Sequence, residues 1–157
     1  MPLQLRGTKL VNTVNKNIYW YTCGPTVYDH SHIGHARTYV TDDILRRVLT
    51  YMGYSVFSVM NITDIDDKIL KKATDANTDF KQISEKYTEL FFSDMDILGI
   101  KRHNIITFVS DYVNDIVEFV KKIVDNKLGY ESNGSVYLDI GLFYLATYIL
   151  FYNIKNA

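Results

Sequence analysis

Between residues 23 and 37 the chain reads CGPTVYDHSHIGHAR, a stretch holding its only cysteine, Cys23, and three of its four histidines, His30, His32 and His35. These residue types support definite chemistry. A thiolate at the end of a strand is a soft ligand for zinc. Imidazoles at a helix N-terminus hydrogen-bond phosphate oxygens, helped by the helix dipole and by free backbone amides. Gly34, between two of the histidines, lets a planar base approach the backbone closely. Residue type alone leaves a second reading open: a lone cysteine is commonly a small buried hydrophobe, and clustered histidines are commonly surface groups.

The flanking pattern predicts the elements that position this stretch. Residues 18–22 (IYWYT) are aromatic and β-branched and stop at Cys23-Gly24-Pro25, the pattern of a short buried strand ending in a tight turn. From His35 onward, apolar residues recur at Ala36, Tyr39, Val40, Ile44, Val48, Leu49 and Met52, a helical spacing closed by Gly53. Residues 54–62 (YSVFSVMNI) predict a second strand. Strand, turn, helix, strand is the order of a right-handed parallel βαβ unit. Ligands bind such units outside the carboxyl ends of the strands, which is where the cysteine and histidines fall.

Further along, Thr63 is placed to cap a helix with Asp64, Asp66 and Asp67 in its acidic first turn. A solvated helix start is the preferred reading of those acids over a magnesium site. Phe80, Ile83, Tyr87, Leu90, Phe91, Met95 and Leu98 form the clearest amphipathic stripe, and Val113, Ile116, Val117, Val120, Ile123 and Val124 form another. Residues 129–140 read as a hairpin about Asn133-Gly134. Arg46-Arg47 and Lys71-Lys72 read as solvated basic pairs on helix faces.

Composition narrows the class. The 157 residues are 47% hydrophobic and 22% charged, with two prolines, which excludes disordered, collagenous and low-complexity chains. The net charge of −1 provides no global field for nucleic acid or anionic membrane, so RNA contact has to come from local patches. One cysteine excludes an internal disulfide framework and suits a reducing compartment. The N-terminus carries no secretory pattern, and the longest apolar stretch, 142–152, is about half of the ~20 residues a membrane helix needs. A soluble, cytoplasmic protein without membrane contact is the expectation.

His32-Ile33-Gly34-His35 resembles the HIGH signature of class I aminoacyl-tRNA synthetases. The whole string from Cys23 to Arg37 resembles the cysteinyl-tRNA synthetases in particular, as does the block NITDIDDKI beginning at Asn61, and a weaker match ends in SNGSVYLD. The resemblance implies an α/β fold: the first half of a Rossmann-like (HUP-type) nucleotide-binding domain at 1–99, the start of a connective insertion with helices and a β-hairpin at 100–140, and a divergent apolar tail at 141–157. It implies ATP-dependent activation of cysteine and its ligation to tRNA-Cys, with Mg2+ accompanying ATP. His32 and His35 would be catalytic, stabilising charge on the phosphates. Gly24, Thr26, His32, Ile33, Gly34 and His35 would bind ATP, with Gly34 under the adenine. Cys23, Gly24 and Thr63 would bind the amino acid, and Cys23 would be the first ligand of a zinc ion that takes the substrate's sulfur. For Thr63 a helix cap remains an equal reading.

The chain also departs from that pattern. No second cysteine is present to complete a zinc site, His103 lies in no matching motif, and a KMSKS loop is absent. The expectation is an N-terminal portion that is not active alone, with a partner chain as one source of the missing half. The tail has two readings, a short apolar helix or translation from another reading frame, the second being preferred. Two other functions are weighed: a ligase passing the cysteinyl adenylate to an amino sugar, and a non-catalytic truncated paralogue that binds nucleotide, tRNA or a synthetase partner.

Overall fold

The computed structural model describes the backbone of residues 4–5 and 8–9, and backbone and side chains of residues 16–144. It divides into two compact units, Met1–Asp111 and Tyr112–Ala157. The apolar tail expected at 141–157 lies outside the described residues from 145 on, and helical backbone is present at 140–144.

In the first unit, β1 (Gln4–Leu5) and β2 (Thr8–Lys9) form a minimal antiparallel pair. The functional framework is a three-stranded parallel sheet in the order β3 (Asn17–Thr22), β4 (Ser55–Ile62) and β5 (Ile105–Phe108). Helix α1 (Ile33–Tyr51) crosses from β3 to β4, so the expected βαβ unit is present. It ends as its sequence requires, with Gly53 at φ +85°, a conformation a side chain resists. Helices α2 (Asp67–Asp75) and α3 (Phe80–Ile97) then connect β4 to β5. Asp66 and Asp79 cap them by accepting the amides of Lys68 and Lys81 at 2.9 and 3.0 Å. The cap of α2 is therefore Asp66 and not Thr63, because Thr63 is still engaged in strand pairing.

The core lies between one face of the sheet and the helices. Met60 and Ile62 of β4 meet Tyr39 of α1, Ile69 and Ala73 of α2, and Ile83, Tyr87, Phe91 and Met95 of α3. The stripe predicted for α3 is the face it buries. Strand alternation sends Tyr19, Tyr21 and Phe57 to the opposite face, where they are exposed. Strand β5 carries no alternation long enough to announce itself, and its four residues pair with 59–62 of β4.

Helix α1 corrects the periodicity reading. The helix is there, but Ile44, Val48 and Met52 are exposed, and the buried face is Tyr39, Asp42, Asp43, Arg46 and Leu49. Asp42 accepts Trp20 Nε1–H at 2.7 Å, the Thr22 hydroxyl at 2.6 Å and Arg46 Nε–H at 2.8 Å. Arg46 also donates to the Lys101 carbonyl at 2.8 Å, and Asp43 accepts the Lys101 amide at 3.1 Å. Arg46 is thus no solvated basic residue. It is a buried cation that welds α1 to β3 and to the segment after α3, because its charge and the Asp42 carboxylate satisfy each other inside the fold. Arg47 keeps its side chain half in solvent while pairing with Asp43.

The second unit comprises α4 (Val113–Asp125) and an antiparallel hairpin of β6 (Gly129–Ser132) and β7 (Ser135–Leu138). Its turn is Asn133-Gly134 as expected, with positive φ at both residues, +51° and +75°, the two-residue geometry that matches strand twist.

Candidate functional site

The site begins where β3 and β4 stop pairing regularly. Thr22 pairs with Met60, and the next parallel bridge is Thr26 with Thr63, so Cys23, Gly24 and Pro25 stand against Asn61 and Ile62. One extra residue on the first strand makes a bulge here, and Cys23, continuing the exposed alternation of Tyr19 and Tyr21, has its thiol at the surface. Beyond it the strands rejoin: the Thr63 amide donates to the Pro25 carbonyl at 3.0 Å, and the Val27 amide to the Thr63 carbonyl at 3.1 Å.

The bulge is pressed tightly onto β4. A Cβ on Gly24 would stand 1.6 Å from the backbone oxygen of Asn61. The Asn61 side-chain oxygen accepts both the Gly24 amide at 3.0 Å and the Tyr21 hydroxyl at 2.9 Å, and its amide nitrogen lies 3.5 Å from the Thr63 hydroxyl. Tyr39, buried on α1, donates its hydroxyl to the Cys23 carbonyl at 3.2 Å. Burial first, then Cys23 and Asp42, push its phenol well above the ordinary value.

The histidines cap α1. The Gly34 amide donates to His32 Nδ1 at 3.0 Å, and the His32 amide donates to His35 Nδ1 at 3.2 Å. Nδ1 of each ring is therefore an acceptor and carries no proton, so the neutral ring holds its proton on Nε2. Burial, then the adjacent His32, lower the His35 pKa. The result is two paired imidazoles, rings 4.1 Å apart, each bound to the backbone through Nδ1, at a helix start with no acid in its first turn. A Cβ on Gly34 would meet the His32 ring at 2.7 Å, so this glycine makes room for the cap itself.

The loop between these groups is tied to α2 and α3. Asp29 accepts the His30 amide at 2.9 Å and pairs with Lys72 at 3.2 Å, while Lys72 lies over the Tyr87 ring at 4.3 Å. His30 meets Tyr87 edge-on at 5.4 Å and so belongs to this anchor, apart from His32 and His35. Lys72 is consequently no free solvated cation. Asp64 accepts the Ser110 amide at 2.9 Å and also the Ser110 hydroxyl, and Asp66 is a cap, so the aspartates are spent on structure.

Among the described residues no three His, Cys, Asp or Glu side chains gather into a group that could hold a metal. Cys23 alone does not satisfy the four-ligand geometry of zinc, so the residues present do not fit a complete zinc site. Surface concavities of about 600 and 410 Å3 lie along α3, lined by residues such as Phe92 and Arg102 or Phe80 and Ser110, and neither includes Cys23, His32 or His35. The site is an open surface at the carboxyl ends of β3 and β4. Among the described residues no helix is long and apolar enough to cross a membrane.

Of the residues singled out from the sequence, the structure sets Cys23, Gly24, Thr26 and Thr63 along the bulge and its pairing with β4, and His32, Ile33, Gly34 and His35 at the start of α1. Sequence reasoning missed Tyr21, Tyr39 and the part played by Asn61. The available signal was a polar asparagine between Met60 and Ile62 in a run that is otherwise buried on alternate positions.

Two histidines contribute to a loss of stability on the acid side. His35 and His103 both bind protons less readily than the ordinary 6.5, chiefly through burial. His103 lies 3.4 Å from Asp42 without a hydrogen bond, and the nearby Arg46 adds to its lowering while Asp42 and Asp43 oppose it. The unfolded chain then holds more protons at pH values just below 6.5, so stability is fully present above that value and declines as pH falls through the window beneath it. Urea midpoints that drop between pH 7.5 and 5.5, with a shallower drop in His103→Gln, are the expected result. A flat profile contradicts it.

The family described as tRNA synthetases class I (C) catalytic domain matches residues 9–148. The cysteine–tRNA ligase of Encephalitozoon cuniculi is 54% identical over 121 residues, 76% of this chain and 25% of that protein. The cytoplasmic cysteine–tRNA ligase of Dictyostelium discoideum is 50% identical over 125 residues, 79% of this chain and 19% of that protein. Among solved structures, Mycobacterium tuberculosis methionyl-tRNA synthetase in complex with methionyl-adenylate superposes with a TM-score of 0.66 at 18% identity, over 73% of this chain and 23% of that one. That likeness is one of fold alone. The chain spans a quarter or less of the length of these curated relatives.

Proposed function

Because the chain belongs to the family of class I tRNA synthetase (C) catalytic domains, we propose that it supplies the ATP- and amino-acid-binding part of a cysteine–tRNA ligase acting in the cytoplasm. The observation that carries the reading is the pair of histidines that cap the start of α1, in the segment that follows the exposed Cys23 at the carboxyl end of β3.

In this reading the carboxylate of cysteine attacks the α-phosphorus of ATP, the bond to the bridging oxygen breaks, and pyrophosphate leaves from the adenylate. The terminal adenosine hydroxyl of tRNA-Cys then takes the cysteinyl group and releases AMP. The Nε2–H groups of His32 and His35 donate to phosphate oxygens as charge moves along them, which is positioning and electrostatic stabilisation rather than covalent catalysis. Because their Nδ1 atoms are held by backbone amides, the rings reach this state without reorganising. Gly24, Thr26, Ile33 and Gly34 line the ATP side, with Mg2+ neutralising the phosphates, and Thr63 with Gly24 lines the amino-acid side. Cys23 would supply one thiolate ligand to zinc, the remaining ligands coming from polypeptide outside these residues or from a partner chain.

The test is ATP binding by the purified chain with Mg2+ present, followed by titration calorimetry. His32→Ala and His35→Ala are each expected to weaken binding about tenfold, the size of one hydrogen bond to a charged group. Cysteine-dependent ATP–pyrophosphate exchange then separates a chain that completes the site from one that supplies part of it. A folded chain with no measurable affinity for ATP would overturn the proposal.

A further inference from the structure

Three lysines gather on two aromatic rings beside the loop that leads into α1. Lys68 and Lys72 are four residues apart on α2 and so share a face of it. The Lys68 ammonium stands 5.2 Å from the centre of the Tyr28 ring. Those of Lys72 and of Lys86, from α3, stand 4.3 and 5.4 Å from the centre of the Tyr87 ring, which also meets His30. An aromatic face attracts a cation without cancelling its charge. Asp29 pairs with Lys72, but among the described residues Lys68 and Lys86 form no ion pair, although Asp67 and Glu85 are their neighbours in the chain. Both lysines are exposed. In a chain of net charge −1 this is a local concentration of positive charge, held in place by rings instead of acids.

The arrangement selects among anions. The ammonium groups are spread over two rings and two helices, which suits an extended polyanion better than a single phosphate, whose donors have to converge. Tyr87 is 7% exposed and lysines lie over its ring, so bases have no free face there to stack on and the contact falls to phosphates. We infer that Lys68, Lys72 and Lys86 form a contact for an RNA sugar–phosphate backbone beside the histidine loop. The inference takes the identity of that RNA, tRNA-Cys, from the proposed function; the row of cations stands without it.

The test is the binding of a fluorescein-labelled tRNA-Cys transcript to the full chain, followed by anisotropy between about 50 and 200 mM salt. Each phosphate contact contributes roughly 0.7–0.9 to the slope of log K against log salt. Lys68→Ala and Lys86→Ala are each expected to flatten the slope by that amount and to weaken binding roughly fivefold at ~0.1 M salt, and the double variant loses both contributions. Lys86→Arg, which keeps the charge, keeps the parent slope. Lys121→Ala, at an exposed lysine of α4 paired with Glu118, also leaves it unchanged. Lys72 stays in place in every variant because it anchors the loop through Asp29. ATP affinity stays within about twofold of the parent in Lys68→Ala and Lys86→Ala.

An unchanged slope in the double variant, an equal loss in Lys121→Ala, or a folded chain with no affinity for the transcript overturns the inference. So does a matching loss of ATP affinity in the lysine variants, which would assign the ammonium groups to the phosphates of the nucleotide. A chain that binds the transcript in this way but not ATP would overturn the proposed function and leave this inference standing.

Discussion

Gly24→Ala is expected to destabilise the chain by about 3 kcal/mol or more, at the upper end of what overpacking costs. The added methyl would sit 1.6 Å from the Asn61 backbone oxygen and 3.1 Å from Met60 Cγ, and backbone cannot swing aside as a side-chain tip can. Relief requires β3 and β4 to separate at the bulge, which breaks the bond from the Gly24 amide to Asn61 and the Thr26–Thr63 bridge. Urea unfolding followed by the fluorescence of Trp20, the chain's single tryptophan, measures the loss. Gly99 provides the contrast: it has φ +68° but open space around it, so Gly99→Ala carries only the ~1–2 kcal/mol of a left-handed backbone. A Gly24→Ala chain within 1 kcal/mol of the parent would mean that the close approach is not real.

The second large effect belongs to Asp42. Asp42→Ala removes the acceptor of Trp20, Thr22 and Arg46 together and leaves the buried Arg46 guanidinium with only the Lys101 carbonyl and Asp43 at 3.5 Å. Breaking a buried pair from one side typically costs about 3–5 kcal/mol, because the remaining charge stays out of water. The same truncation at an exposed pair, Arg102 with Asp96, is expected to cost under about 1 kcal/mol, since both groups return to solvent. The two urea midpoints, compared at pH 7.5, decide it. Equal losses from the two variants would show that the Asp42 cluster is solvated and does not hold α1 to the sheet.

Much of the candidate site is legible in the sequence alone. A strand run that stops at Cys23-Gly24-Pro25, followed by histidines at a helix start, already places a thiol and imidazoles at the ligand end of a βαβ unit. The prediction held because strand and helix signals are local and the crossover rule is nearly free of exceptions. The turn at Asn133-Gly134 was equally plain, since few other pairs adopt positive φ twice. Strand β5 was not legible. Four residues that owe their conformation to pairing with β4 leave no period to read.

The face of α1 shows the other boundary. Periodicity marks Ile44, Val48 and Met52 as buried, and the fold buries Asp42, Asp43 and Arg46. No local pattern announces that, because a buried charge is tolerated only when distant groups satisfy it. Those groups come from β3 and the segment after α3, brought together by folding. The same holds at Asn61, whose oxygen serves residues forty and thirty-seven positions away. The sequence by itself determined which residue types could carry chemistry, their order along strand, turn and helix, and the turn at Asn133-Gly134, all matters of short-range sterics and hydrogen bonding. Only the tertiary structure decided which protons point where, which charges are buried and what pins the cysteine, because each depends on partners that the chain joins only across strands and helices.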